Sequence, residues 1–499
     1  MTIERIGHAM KWSLLARIAA FAAGFAANVL IIHSLSERDW GIFSELKTIV
    51  QFVLVFVMLG VDTAILKFAP MLRLGGGVRA FSRILRPLLF MQLGVWLCIF
   101  LASRFGSGFF NAFFRDETGR FGFLLQVAIV CFVFELYMLL VTRFFESWYD
   151  TKRVAGAVLV GNAGYVLGIL LAVRLGFGIA GVLVAGAAMN LLMVALLVPR
   201  MIRLIRAVPF DGAGPRLGEV LRFSLPFVVT GLLNQIVWRQ SEVLLLGHFT
   251  GPEAAGFFNL AYRIPQQLLE FVPISIWPIV MAGISETYAK DARNLPRAIQ
   301  LYFKLIFLLV IPVASMGFAF GRPLIPIIFG VKMLPAALLT QLFFVVFSYS
   351  FLYTPISMAF FVMGKSWINM LIFLSVAIIE IGLDWVLIPR YGLWGAFVPV
   401  VVALVLAVVI FHAVMRRVRA DVTMPARFIA RCTLAGVPTC LLSLASSRWS
   451  SPTAVALMIP VGVVLLLLGF RALKVIGSEE KELIMRLPIP ARERLLSLF

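Results

Sequence analysis

About fourteen apolar runs, each long enough to cross the hydrocarbon of a bilayer, follow one another along these 499 residues. A hydrocarbon core about 30 Å thick takes roughly 20 residues of α-helix, and backbone inside it has no water to bond with. A chain dominated by such runs is therefore confined to a membrane-embedded helical bundle. The runs fall at approximately 12–35, 45–69, 87–103, 121–142, 155–174, 178–198 and 223–248, then 257–284, 302–320, 333–361, 367–388, 392–414, 427–445 and 453–472. Composition excludes a set of water-soluble domains, because 62% of the residues are hydrophobic and only 14% are charged. The first run exceeds the length of a signal-peptide core and is read as a retained span. Cys98, Cys131, Cys432 and Cys440 all lie inside runs, without metal-ligand spacing, and are read as packing residues.

A formal net charge of +20 points to nucleic acid in a soluble protein, but in a membrane chain the informative quantity is how Lys and Arg divide between loops. With the N-terminus inside, most of the 44 basic residues fall on the cytoplasmic side, so both termini are expected there and no nucleic-acid partner is. Runs such as Arg200, Arg203 and Arg206, or Arg416, Arg417 and Arg419, serve as topology signals that touch anionic lipid. Residues 476–499 mix charge with Leu and Ile and read as an amphipathic cytoplasmic tail.

The two halves resemble each other. Laid without a gap, 33–57 and 248–272 share eight of 25 positions: His33/His248, Gly41/Gly256, Phe43/Phe258, Ile49/Ile264, Gln51/Gln266, Leu54/Leu269, Phe56/Phe271 and Val57/Val272. Gly178-Ile-Ala-Gly-Val182 matches Gly392-Leu-Trp-Gly-Ala396 at nearly the same offset, in turns where glycine serves a positive φ or a close helix approach. The offset holds six spans, an even number, so both copies enter the membrane in the same sense. The expected fold is all-α and polytopic, with two parallel six-helix repeats about a pseudo-twofold along the membrane normal and two further C-terminal helices. The expected segments are a lobe over 1–206, a basic linker over 207–222, a second lobe over 223–419, two extra spans over 420–475 and the tail. Parallel repeats of this kind place a substrate between lobes and expose it alternately to each side.

Several motifs carry a family resemblance. Leu221-Arg-Phe-Ser-Leu-Pro226, Arg239-Gln-Ser-Glu242, Leu246-Gly247 and Ala255-Gly-Phe-Phe-Asn-Leu-Ala-Tyr-Arg263 form the best-matching stretch, with Leu59-Gly-Val-Asp-Thr-Ala-Ile-Leu-Lys-Phe68 and Gly364-Lys365 beside it. Nearly the whole chain resembles the polysaccharide-transporter branch of the multidrug/oligosaccharidyl-lipid/polysaccharide flippase superfamily, typified by O-antigen flippases. Glu242 stands where many relatives carry Asp. The resemblance implies a flippase, not an enzyme, that moves an undecaprenyl-pyrophosphate-linked oligosaccharide from the inner to the outer leaflet of a bacterial inner membrane. Its implied partners are that lipid-linked cargo, membrane lipids and polysaccharide assembly proteins, with the monomer as the working unit.

Charges at membrane depth are costly and face a cavity or a partner, so they are the first candidates for the site. Arg239 and Glu242, at i and i+3 on one expected helix, lie at a similar depth to Arg263 on the next; together they form either a pinning ion cluster or a pyrophosphate site. Arg17 and Lys47 are further cationic candidates, with Gln266, Trp238, Asn234 and Tyr262 as glycan contacts. Asp62, Glu135, Glu270, Glu380 and Asp384 are carboxylates that either pair with a base or bind a coupling H⁺ or Na⁺. No cofactor or metal site is read from the sequence. Three alternatives stay open: a cation-coupled multidrug exporter of the same superfamily, a lipid II flippase, and a membrane glycosyltransferase or polymerase using Glu37 and Asp39 in the first outer loop.

Overall fold

The computed structural model describes residues 3–74, 78–116, 118–148, 150–207, 217–238, 241–448, 451–477 and 480–481. These are helical almost throughout. They form two compact units, Met1–Gly256 and Phe257–Phe499. This division falls inside a helix, whereas the lobes expected from the sequence follow the repeat.

The first unit holds α1 (Ile3–Ser34), α2 (Glu37–Met58), α3 (Val61–Leu74), α4 (Val78–Phe105) and α5 (Ser107–Phe113). It continues with α6 (Arg120–Ser147), α7 (Thr151–Arg174), α8 (Gly178–Ala207), α9 (Leu217–Trp238), α10 (Ser241–Phe249) and the start of α11 (Pro252–Lys290). The second unit holds the rest of α11, then α12 (Leu295–Phe329), α13 (Leu334–Ser350), α14 (Thr354–Val362), α15 (Ser366–Tyr391), α16 (Leu393–Val418), α17 (Ala426–Leu441) and α18 (Pro452–Ala472). Eleven helical stretches among the described residues are long and apolar enough to cross a membrane. The protein is an all-α, multi-pass membrane protein.

Three expected spans differ in their details. The run 45–69 is two helices, because Leu59 and Gly60 both take positive φ, at 51° and 67°, and end α2. A side chain on Gly60 would strike the Ser224 carbonyl of α9, and the buried Gln92 donates to the freed Met58 carbonyl at 3.0 Å. α2 therefore begins eight residues before the apolar run that announced it. The run 223–248 is divided between α9 and α10, and 333–361 between α13 and α14.

The repeat has a local signature. Gly178 and Gly392, matched at nearly the same offset as the longer repeat, both adopt φ of 54° at the turns that launch α8 and α16. Gly41 and Gly256, also equivalent, meet each other: a Cβ on Gly256 would stand 3.1 Å from Gly41 Cα and 2.7 Å from Trp40 Cδ1. Trp40 fixes this approach by donating from Nε1 to the Gly256 carbonyl at 3.0 Å.

Candidate functional site

In the first unit, α2, α6, α7 and α8 enclose a cleft lined by Phe43, Lys47, Cys131, Glu135, Tyr165 and Asn190, among others. Its one-turn spacings explain the composition: Cys131 and Glu135 are i and i+4 on α6, as Phe43 and Lys47 are on α2, so each helix presents one small or apolar group and one charge. Lys47 Nζ lies 3.5 Å from Glu135 Oε2, with 32% of the lysine and 40% of the glutamate side chain exposed. A contact of that length between groups in partial reach of solvent is a loose ion pair. The cavity measures about 40 Å³, which admits a few water-sized groups and not a sugar ring.

The first unit holds a second feature, a seam where α2 meets α10 and the first turn of α11. Glu45 is 1% exposed there, and its Oε1 has no hydrogen-bond partner. It rests on Gly247, where a side chain would collide with the carboxyl. Gly41 is equally tight against the Pro252 carbonyl. At the open end of the seam Asp39 pairs with Arg120 at 3.0 Å, and the Asp39 amide donates to Ser36 Oγ, capping α2. Glu37 and Asp39 thus supply the acidic first turn of α2, a structural role at a helix N-terminus. His248 stacks on Phe113 with ring centroids 4.1 Å apart and bonds the Phe113 carbonyl. Nearby Asp116 is partly buried, which works against its charge, but the Thr118 hydroxyl, two backbone amides and Arg38 outweigh that and hold it below the usual carboxylate range.

In the second unit, Gln266 donates to Glu270 at 3.3 Å one turn along α11, and Tyr262 is packed among Phe258, Phe343 and Phe347. Arg263 is half-buried on the same helix. Glu380 and Asp384 are fully buried one turn apart on α15. Lys304 is taken up by Glu480 at 2.7 Å.

The structure thus brings Lys47 and Glu135 together, and Gln266 with Glu270. Glu242 is buried at the start of α10, separate from the helix expected to carry Arg239 beside it; residues 239 and 240 lie outside the described residues. Arg17 lies on α1, and Asp62 sits in the first turn of α3, past the break that ends α2. The side chains of Arg17, Asn234 and Trp238 lie outside the described ones. Three residues of the cleft and seam escape sequence reasoning. Tyr165 and Asn190 are of types too common in apolar helices to stand out. Glu45 sits at the edge of its apolar run, where an acid reads as facing headgroups; in the helix as formed it lies two turns in.

The profile of the family described as "Polysaccharide biosynthesis protein" matches residues 34–338. The chain belongs to that family. No curated protein matches its sequence. Among solved structures, it is similar to the lipid II flippase MurJ in an inward closed conformation, with a TM-score of 0.67 at 14% identity over 93% of this chain and 98% of that one. It is also similar to an inward-facing multidrug resistance MATE transporter of the MOP superfamily, with a TM-score of 0.62 at 16% identity over 82% and 98%. A third likeness is to a MOP superfamily transporter from Pyrococcus furiosus Vc1, described as having a binding pocket of reversed polarity, at 0.59, 14%, 84% and 96%. This member of the polysaccharide biosynthesis family has the MOP transporter fold.

Proposed function

We propose that the protein is a flippase that carries an undecaprenyl-pyrophosphate-linked oligosaccharide from the inner to the outer leaflet of a bacterial inner membrane by alternating access. The observation that carries this reading is the Lys47–Glu135 pair in its cleft. A cation held at 3.5 Å by a partly exposed carboxylate is exchangeable, and a pyrophosphate oxygen is the stronger acceptor for it. Tyr165 and Asn190 line the same cleft, and their hydroxyl and amide are neutral donors by type. The cleft is too small for a sugar ring, so only the phosphate end of the cargo reaches Lys47. Arg17, Arg239 and Arg263 are further candidate cations for the pyrophosphate, and Glu242 and Gln266 further candidate polar groups for the cargo. Once Lys47 turns to the cargo, Glu135 is left to take up a coupling ion, H⁺ or Na⁺, as are Asp62, Glu270 and Asp384 at their own positions.

The family's description in polysaccharide biosynthesis supports the cargo class, and a protein of the same fold bears the name of a lipid II flippase. The excess of Lys and Arg in alternate loops supports cytoplasmic termini. The ion pair of Asp39 with Arg120 argues against a glycosyltransferase that uses Asp39 as its base.

Deleting the gene tests the reading. Lipid-linked glycan is expected to accumulate on the inner leaflet while surface polysaccharide is lost. Unchanged surface polysaccharide with no accumulation overturns it.

A further inference from the structure

Glu45 occupies an unusual place for an acid. α2 starts at Glu37 and rises about 1.5 Å per residue, so the Glu45 carboxyl lies roughly 12 Å along the helix from its capped end. It is 1% exposed, and its buried Oε1 has no hydrogen-bond partner. The room it occupies exists because Gly247 on α10 has no side chain, so the acid and the glycine fit as a knob and socket. The repeat does not require an acid here, since the equivalent position is Leu260.

The surrounding charges do not neutralise it. Lys47, two residues along α2, faces the opposite side and is engaged by Glu135 of α6. Asp39 pairs with Arg120, also of α6. On α10, His248 is stacked on Phe113, and Glu242 is buried a turn and more away from Gly247. Glu253, in the first turn of α11, is of the same sign and brings no counter-charge. An ionised carboxylate in such a place costs several kcal/mol, whereas the neutral acid costs far less.

We propose that Glu45 is a proton-binding site that latches α2 to α10: the carboxyl carries a proton while seated on Gly247, and losing it drives the seam apart. Seated, the acid is dry. Unseated, it meets water, releases H⁺ and cannot return until it is protonated again. The ligand is therefore a proton, taken up at the end of the bundle that carries the α1–α2 and α10–α11 turns. The basic-residue distribution puts that end outside, where a proton gradient delivers its protons. This rests on the flippase reading only for what the latch drives; its own test needs no cargo.

The test uses the full chain, with its four cysteines replaced, reconstituted in lipid nanodiscs. Spin labels go at the exposed Arg38 and Thr250, on the two sides of the seam. In the parent protein a longer interlabel distance is expected to grow at the expense of the short one as pH rises from about 4 to about 9, from the ordinary carboxyl value near 4.3 to well above it. Glu45→Gln, which keeps shape and neutrality, is expected to hold the short distance at every pH. Gly247→Ala, which blocks the socket, is expected to give the long distance at every pH. A distance independent of pH in the parent, or the same pH response in Glu45→Gln, overturns the proposal. Transport of lipid-linked oligosaccharide into proteoliposomes separates the two readings. A seam that answers to pH through Glu45 without any cargo movement keeps the latch and removes the flippase. Cargo movement together with a seam distance that does not respond to pH removes the latch and keeps the flippase.

Discussion

Lys47 and Glu135 are unequal partners although they share one contact. If the lysine receives the phosphate and the carboxylate holds it in reserve, Lys47→Ala is expected to slow translocation at least tenfold, about 1.4 kcal/mol or more at the rate-limiting step. Glu135→Gln is expected to tighten cargo binding while slowing release, so the apparent KM falls together with kcat. Translocation by reconstituted protein over a range of cargo concentration checks both. Equal losses with unchanged KM in the two variants point to a merely structural pair. Both residues were legible as intramembrane charges, because a base or acid inside an apolar run calls for a partner. What the sequence left open was which partner, since that depends on helix rotation. Lys47 was legible as a cation yet silent about Glu135, 88 residues away.

At the scale of helices, apolar length was the legible property and interruption was the hidden one. A run of hydrophobic residues looks the same whether it forms one helix or two. The break at Leu59 and Gly60 is held by contacts from elsewhere, namely Ser224 against the glycine and Gln92 on the Met58 carbonyl. The glycine was visible, whereas a left-handed leucine was not foreseeable from its type. Residues 480–481 give an element-scale case of the opposite kind, where two distant segments meet through charge. Lys304 bonds Glu480 at 2.7 Å, Phe428 lies under the ammonium at 5.5 Å, and the Gly477 amide donates to the same carboxylate. Burial works against the Glu480 charge, but Lys304 and that amide outweigh it and hold the carboxyl below its ordinary range. A lowered carboxylate contributes stability above its unfolded value, near 4.3, and loses it as pH falls through the lowered value. Docking of this segment is therefore expected to be constant from neutral pH down to about pH 4 and to fail below. Lys304→Ala is expected to release it at neutral pH, at a cost of about 1.5–3 kcal/mol for the lost charged bond. Limited proteolysis of the C-terminal segment reads both, and equal cleavage of the variant and the parent at pH 7 refutes the docking.

For the whole molecule, the duplication was legible at 33–57 and 248–272 because it left identical residues behind. The pairing of its equivalents in space was not, since self-similarity says that two segments are alike and nothing about whether they touch. Gly41 against Gly256 supplies that fact. Gly256→Ala is expected to destabilise the protein by about 1–3 kcal/mol, because the added methyl meets Trp40 and Gly41 with no flexible side chain to yield. A lowered thermal midpoint in detergent, set against Gly24→Ala on a face with open space, measures it. An unchanged midpoint means the seam is looser than drawn.

The meeting of Gly41 with Gly256 also bears on descent. Before the duplication was fused, a half-length ancestor pairing about the same axis would have set this glycine against its own copy, and any change on one side of the seam would have appeared on the other. Fusion lifts that constraint. Glu45 and Lys47 now stand opposite Leu260 and Tyr262 in the alignment of the copies, so the acid and the base are carried once and not twice. A symmetric ancestor bearing Glu45 would have brought two such acids to one joint; the fused chain keeps a single one, so the proposed latch counts one proton for each opening.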